Sequence, residues 1–236
     1  MKDDLTTNVQ LENGSPAFGN TLLGAVPLVS EVYLMDNIEL MKHYPDKYFD
    51  LAVVDPPYGY GTKKTGILNF RMEAKEKEWN TAPTLEYFTE LIRVSKNQIV
   101  WGGNYFSCLW ELGGRCFIYW HKGNPVPNFA DGELAWTSFD RNAKQFDYRY
   151  YGNLEGKTSA SDKFHPTQKP VALYDWVYNE FAEEGMKILD THLGSGSSRI
   201  SANKAKLHFV GCEIDQEYYE KQEKRFNDFK SQLRLF

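Results

Sequence analysis

Short apolar runs of strand length, interleaved with stretches whose apolar residues recur at helical spacing, leave this chain few folds to choose from. Residues 49–54, 98–101, 116–120, 186–189 and 207–212 read as buried strands, and 31–35 as a shorter one ending at Asp36. Between them, Leu85, Phe88, Leu91 and Ile92 mark a helix over 84–95, and Pro170 opens another whose Leu173, Trp176, Val177 and Phe181 share a face. Residues 197–205 and 215–230 complete the helices, the last capped by Asp215. Buried strands that alternate with helices build a largely parallel sheet covered on both faces. A length of 236 residues suits one core with at most a small inserted lobe. Residues 1–30 show no clear periodicity, and 122–163, rich in Asn, Asp, Gly and aromatics, read as an irregular functional insertion.

The run 49–54 ends in Asp55-Pro56-Pro57-Tyr58. Taken alone, this tetrapeptide is either a rigid turn leaving a strand or a holder for a flat exocyclic amine. In the second case Asp55 accepts one amine hydrogen, Pro56 offers its carbonyl to the other, and Tyr58 presents a stacking face. A second strand-to-helix turn, Asp190-Thr191-His192-Leu193-Gly194-Ser195-Gly196-Ser197, contains glycines that let the backbone approach a ligand where helix N–H groups face outward. A lone Gly-x-Gly is often only a tight turn. Here Glu213 stands at the end of the next strand, about twenty residues on, where nucleotide-binding sheets hold ribose hydroxyls. The lack of a following Gly-Lys-Ser/Thr excludes a P-loop. Both turns follow parallel strands, so nucleotide and amine become neighbours at the sheet's carboxyl edge, an arrangement suited to group transfer onto nitrogen.

Composition narrows the partners. No apolar stretch approaches the roughly 20 residues of a membrane span, and Met1-Lys2-Asp3-Asp4 lacks the regions of a signal peptide, so a cytoplasmic address without a membrane partner is expected. Cys108, Cys116 and Cys212 are odd in number and contain no CxxC pair, which favours reduced core thiols over disulfides or a metal site. A net charge of −5 excludes a strongly basic protein, but the acidic excess sits in residues 1–50, while 58–80, with Lys63, Lys64 and Arg71, is locally basic.

Four motifs in one order carry a resemblance: Asp55-Pro56-Pro57-Tyr58, His165-Pro166-Thr167-Gln168-Lys169-Pro170, Asp190 to Gly196, and Gly211-Cys212-Glu213-Ile214-Asp215. Residues 97–106 and Glu133-Leu134-Ala135-Trp136-Thr137-Ser138 add to it. From about Tyr33 onward the chain resembles amino-methylating DNA methyltransferases. With the Asp-Pro-Pro-Tyr turn first and the cofactor loop last, it is similar to their permuted β group, especially small phage-type adenine-N6 enzymes. The resemblance implies an α/β, Rossmann-like, S-adenosylmethionine-dependent methyltransferase fold in a single domain over 1–236. Its catalytic half would cover about 31–121, a target-recognition insertion about 122–163, and a cofactor half about 164–236. The implied cofactor is S-adenosylmethionine. Asp190, Gly194, Ser195, Gly196 and Ser197 would line its methionine half, Glu213 its ribose and Asp36 its adenine amine. His165, Thr167, Gln168 and Lys169 would close over the methionine end, Lys169 towards the carboxylate. Thr191 and His192 depart from the Pro and aromatic residue commoner at these places.

The implied reaction is site-specific methylation of adenine N6 in double-stranded DNA, on a base flipped out and stacked on Tyr58, with Asp55, Pro56, Pro57 and Tyr58 as the catalytic turn and no metal required. Lys63, Lys64, Arg71, Lys122, Arg141, Lys144 and Arg149 are candidate DNA contacts, with 122–163 reading sequence. Cytosine N4, an amine of like chemistry, is the nearest alternative; protein glutamine methylation and a non-catalytic cofactor-binding module are the others. A homodimer and a cognate restriction endonuclease are partners that the motifs leave open.

Overall fold

The computed structural model describes residues 28–59, 81–123, 130–150, 164–165 and 167–233. Among them, eight strands form one sheet: β1 (Ser30–Leu34), β2 (Phe49–Val54), β3 (Ser95–Trp101), β4 (Phe117–His121), β5 (Gly132–Thr137), β6 (Lys144–Asp147), β7 (Lys187–Asp190) and β8 (His208–Glu213). Their order across the sheet is β1-β8-β7-β2-β3-β5-β4-β6. Neighbours run parallel except where β5 lies between β3 and β4. Helices α1 (Asn37–Lys42), α2 (Leu85–Val94), α3 (Ser107–Glu111), α4 (Val171–Phe181), α5 (Ser197–Lys204) and α6 (Gln216–Leu233) flank it. The strands and helices read from the sequence therefore recur, with ends displaced by up to three residues.

Strand β2 explains the two-sided core. All its residues but Asp50 are buried, and successive side chains point to opposite faces. Leu51 and Val53 join Ile99, Trp101 and the α4 residues Leu173, Val177 and Phe181 on one face. On the other, Ala52 and Val54 meet Val100, Leu40 and Met41 of α1, and Tyr87, Phe88 and Leu91 of α2. Asp50 ties the start of β2 to both neighbouring strands, accepting from Lys187 N at 2.9 Å and from Lys96 Nζ at 2.7 Å. Asp215 caps α6, accepting from the N–H groups of Glu217 and Tyr218 at 3.0 and 3.2 Å. Among the described residues no helix is long and apolar enough to cross a membrane, and the three cysteines are free.

The reading of 122–163 as irregular fails over Gly132–Asp147. There the chain supplies β5 and β6, and Ala135, Trp136 and Thr137 of β5 are buried in the sheet. β5 is short and its partners β3 and β4 precede it, so neither periodicity nor a nearby hairpin turn marks it. Residues 124–129 and 151–163 of that segment lie outside the described ones.

Candidate active site

From β2 the chain proceeds to β3 on one side; from β7 it proceeds to β8 on the other, and β2 and β7 are neighbours. Connections that leave in opposite directions open a crevice beyond the carboxyl ends of the two strands, the place where open α/β sheets bind ligands. The Asp55 turn and the loop after Asp190 both enter it.

Asp55 meets the expected Tyr58 and an unexpected cation. Its Oδ1 accepts from the Tyr58 hydroxyl at 2.9 Å, and its Oδ2 lies 2.5 Å from Lys169 Nζ. That ammonium is also 3.1 Å from Glu133 Oε2, and Glu133 Oε1 pairs with Lys122. The Lys169 side chain is only 4% exposed. An ammonium so enclosed would lose its proton to burial, but the two carboxylates outweigh that effect and hold its pKa well above the ordinary value. The carboxylates themselves shift in opposite directions. Burial dominates at Asp55 and raises its pKa against the pull of Lys169. At Glu133 burial also pushes upward, but two ammonium groups overcome it and bring the pKa to about 2.

The Tyr58 ring fits because residue 102 is glycine: its φ is +68°, and a Cβ there would stand 2.1 Å from the ring. Tyr105 flanks Tyr58 with centroids 4.9 Å apart and is half exposed, forming a second aromatic wall. Pro56 is buried and Pro57 partly so, which fixes the turn.

In the glycine loop, buried Asp190 accepts from His192 N at 3.0 Å and from Ser198 Oγ at 2.5 Å. Burial nevertheless raises its pKa to about 7. Glu213 accepts from Gly194 N at 2.8 Å and Asp215 N at 2.9 Å, so the acid at the tip of β8 also shapes the loop. Ser195 and Ser197 are buried; their hydroxyls are 3.1 Å apart and Arg225 of α6 donates to Ser195 O and Ser197 Oγ, which makes them supports of the loop. The His165 ring packs on Tyr218 and borders Gly194, with Thr167 Oγ1 3.2 Å from its Nδ1, and Gln168 is buried next to them. Asp36 caps α1, accepting from Ile38 N and Glu39 N through Oδ1. His192, at the place where an aromatic is commoner, is enclosed by Asn37, Tyr87 and Thr191; burial lowers its pKa to about 3 and keeps it neutral.

Two expectations meet other partners in the fold. Lys169, expected at the methionine carboxylate, has its ammonium between Asp55 and Glu133. Arg141 and Lys144, expected at DNA, are not brought to the crevice. Both pair with Glu180, Arg141 at 3.3 Å and Lys144 at 2.9 Å, and Arg141 also covers the Phe181 ring. Glu180 lies near the end of α4, about 15 Å along the helix from the end next to Lys169. The end of β5 and the start of β6 place those two bases at the sheet's amino edge. Lys122, after β4, and exposed Arg149, beside Gly123, lie at the carboxyl edge. Lys63, Lys64 and Arg71 are outside the described residues. Sequence reasoning assigned no role to Glu133 or Tyr105; an acid opening a strand carries no local signal of a partner in another part of the chain.

A family model described as a DNA methylase matches residues 100–224. Among curated proteins, the Type II methyltransferase M2.MboI of Moraxella bovis is 23% identical, covering 86% of this chain and 92% of its own. The Type II methyltransferase M.HinfI of Haemophilus influenzae is 26% identical, covering 83% and 67%. Among solved structures, the M1.HpyAVI–SAM complex aligns with a TM-score of 0.59 at 21% identity, over 84% of this chain and all of that one. The cytosine-N4-specific PvuII DNA methyltransferase aligns at 0.55 and 14% identity, over 86% and 92%. The α/β fold is thus shared with methyltransferases of known structure.

Proposed function

The chain belongs to the DNA methylase family, and from that premise we propose that it transfers the methyl group of S-adenosylmethionine to the N6 amine of adenine in double-stranded DNA. The observation that carries this reading is the Asp55 carboxylate, paired with a buried ammonium and set beside a glycine loop at the switch point of the sheet. The loop suits the cofactor. Gly194 has φ +51°, and a Cβ there would come within 3.3 Å of the His165 ring, so glycine at this position lets that ring close down on the loop. Asp190, Gly194, Ser195, Gly196 and Ser197, with His165, Thr167 and Gln168, would hold the methionine half. Glu213 retains lone pairs for ribose hydroxyls, and Asp36 Oδ2 for the adenine amine. When bound, S-adenosylmethionine supplies an electrophilic methyl group.

Adenine N6 is a weak nucleophile because its lone pair is delocalised into the ring. Asp55 and the Pro56 carbonyl accept its two hydrogens, favouring a pyramidal nitrogen and stabilising the positive charge that develops on it. Holding both reactants in line supplies part of the acceleration, on the order of several kcal/mol. The proton shed by the methylated nitrogen passes to Asp55, whose proton affinity burial has already raised. Tyr58 stacks the flipped base, and Lys122 and Arg149 at the rim face the DNA backbone. Asp in place of Ser at position 55 accords with adenine. Incubating the protein with DNA and methyl-labelled S-adenosylmethionine, then digesting and weighing the nucleosides, tests the reading. N6-methyladenine is the expected product, N4-methylcytosine would reassign the base, and unlabelled DNA would defeat the proposal. Asp55→Ala should abolish transfer while cofactor affinity changes little.

A further inference from the structure

Glu133 stands far from Asp55 in the chain, yet β5 runs antiparallel between β3 and β4 and so brings its first residues to the same edge of the sheet. There the charges alternate in one line: Lys122, Glu133, Lys169, Asp55, with the Tyr58 hydroxyl at the end. Lys169 makes its close contact with Asp55 Oδ2. Glu133 Oε2, although buried and 3.1 Å from the ammonium, receives no aligned hydrogen bond. The charge of Lys169 is therefore shared by two carboxylates, with the closer contact at Asp55.

An acceptor for the amine must be ionised, and it must not be neutralised by too tight a counter-ion. A buried aspartate alone protonates; paired with an undivided ammonium it becomes a weak acceptor. We infer that Glu133 is a positioning residue for methyl transfer, holding the Lys169 ammonium on Asp55 Oδ2 while drawing off part of its charge, so that the lone pair of Oδ1 not engaged by the Tyr58 hydroxyl stays available to the amine. The inference rests on the proposed role of Asp55. The groups that face Asp55 are Lys169 and Tyr174 from the α4 side, Glu133 from β5, Tyr58 from its own turn and Asp190 from β7.

Two variants act on Asp55 in opposite senses. In Glu133→Gln, Lys169 is left to Asp55 alone, so the acid limb of the kcat profile moves to lower pH and kcat falls about ten-fold or more, with the KM values for cofactor and DNA little changed. In Lys122→Met, Glu133 competes harder for Lys169, and the acid limb moves to higher pH. The carboxyl carbon of Asp55, followed by NMR titration of the free protein, should shift its midpoint in the same two directions. Glu133→Asp should recover part of the kcat. An unchanged Asp55 midpoint in folded Glu133→Gln, or a loss confined to KM, overturns the inference. If wild-type protein methylates no DNA, the functional reading fails, while the NMR midpoints still decide whether Glu133 acts on Asp55.

Discussion

Replacing Lys169 with Met keeps much of the side chain's length and removes its charge, which leaves Asp55 and Glu133 as buried carboxylates without the cation between them. The cost can be worked from Glu133. Its pKa lies at about 2 against an ordinary 4.5, and at about 1.4 kcal/mol per pH unit this displacement, the net of burial against Lys169 and Lys122 together, corresponds to roughly 3 kcal/mol. Breaking a buried ion pair from one side costs about 3–5 kcal/mol, and with Lys122 still paired to Glu133 the loss at pH 8 is expected at the low end of that range. In wild-type protein the Glu133 contribution is present above pH 4.5 and is lost as pH falls towards 2. In the variant Asp55, already raised by burial, titrates higher still and Glu133 keeps only Lys122, so the two acids support the fold less at high pH and the difference fades once they are protonated. The gap between wild type and Lys169→Met must therefore shrink as pH falls from 8 to about 4. Urea unfolding at pH 8, 7, 6 and 5 measures it. A variant within about 1 kcal/mol of wild type at every pH, the size of a surface pair, would show that Lys169 does not neutralise the two acids.

Asp190 and His192 should give opposite pH signatures. A carboxyl raised to about 7 weakens the fold progressively between pH 4 and 7, so Asp190→Asn gains on wild type as pH rises through that window; a histidine lowered to about 3 weakens it below 6.5, so His192→Phe gains as pH falls, both read by urea unfolding across pH. Glu213→Ala removes two backbone hydrogen bonds and the proposed ribose contact, and should weaken S-adenosylmethionine binding by about 1–3 kcal/mol in calorimetry; unchanged affinity would contradict that contact. Arg141→Ala should leave the methylated sequence unchanged in a randomised duplex library and cost at most about 1 kcal/mol of stability, since its partly exposed ion pair fastens the end of α4; a relaxed sequence preference would return it to the DNA.

The strands, the helices and the two turns at the crevice are legible in the sequence because each is written locally. β2 is a continuous apolar run, Pro56-Pro57 stops it within one residue, and Gly194 and Gly196 announce a positive-φ loop before α5. Glu213 is legible because its distance from that loop is fixed by one helix and one strand. Local signals fail where the sheet is assembled out of chain order. β5 inserts between β3 and β4, which places Glu133 beside Lys169 and sends Arg141 to the opposite edge, although both lie within one stretch of polar sequence. Local sequence settles which residue types stand at the ends of β2, β7 and β8. That the Lys169 ammonium faces Asp55 follows from the assembled fold alone, because a buried charge takes its partner from whatever strand order brings near, and strand order is set by how the whole core packs.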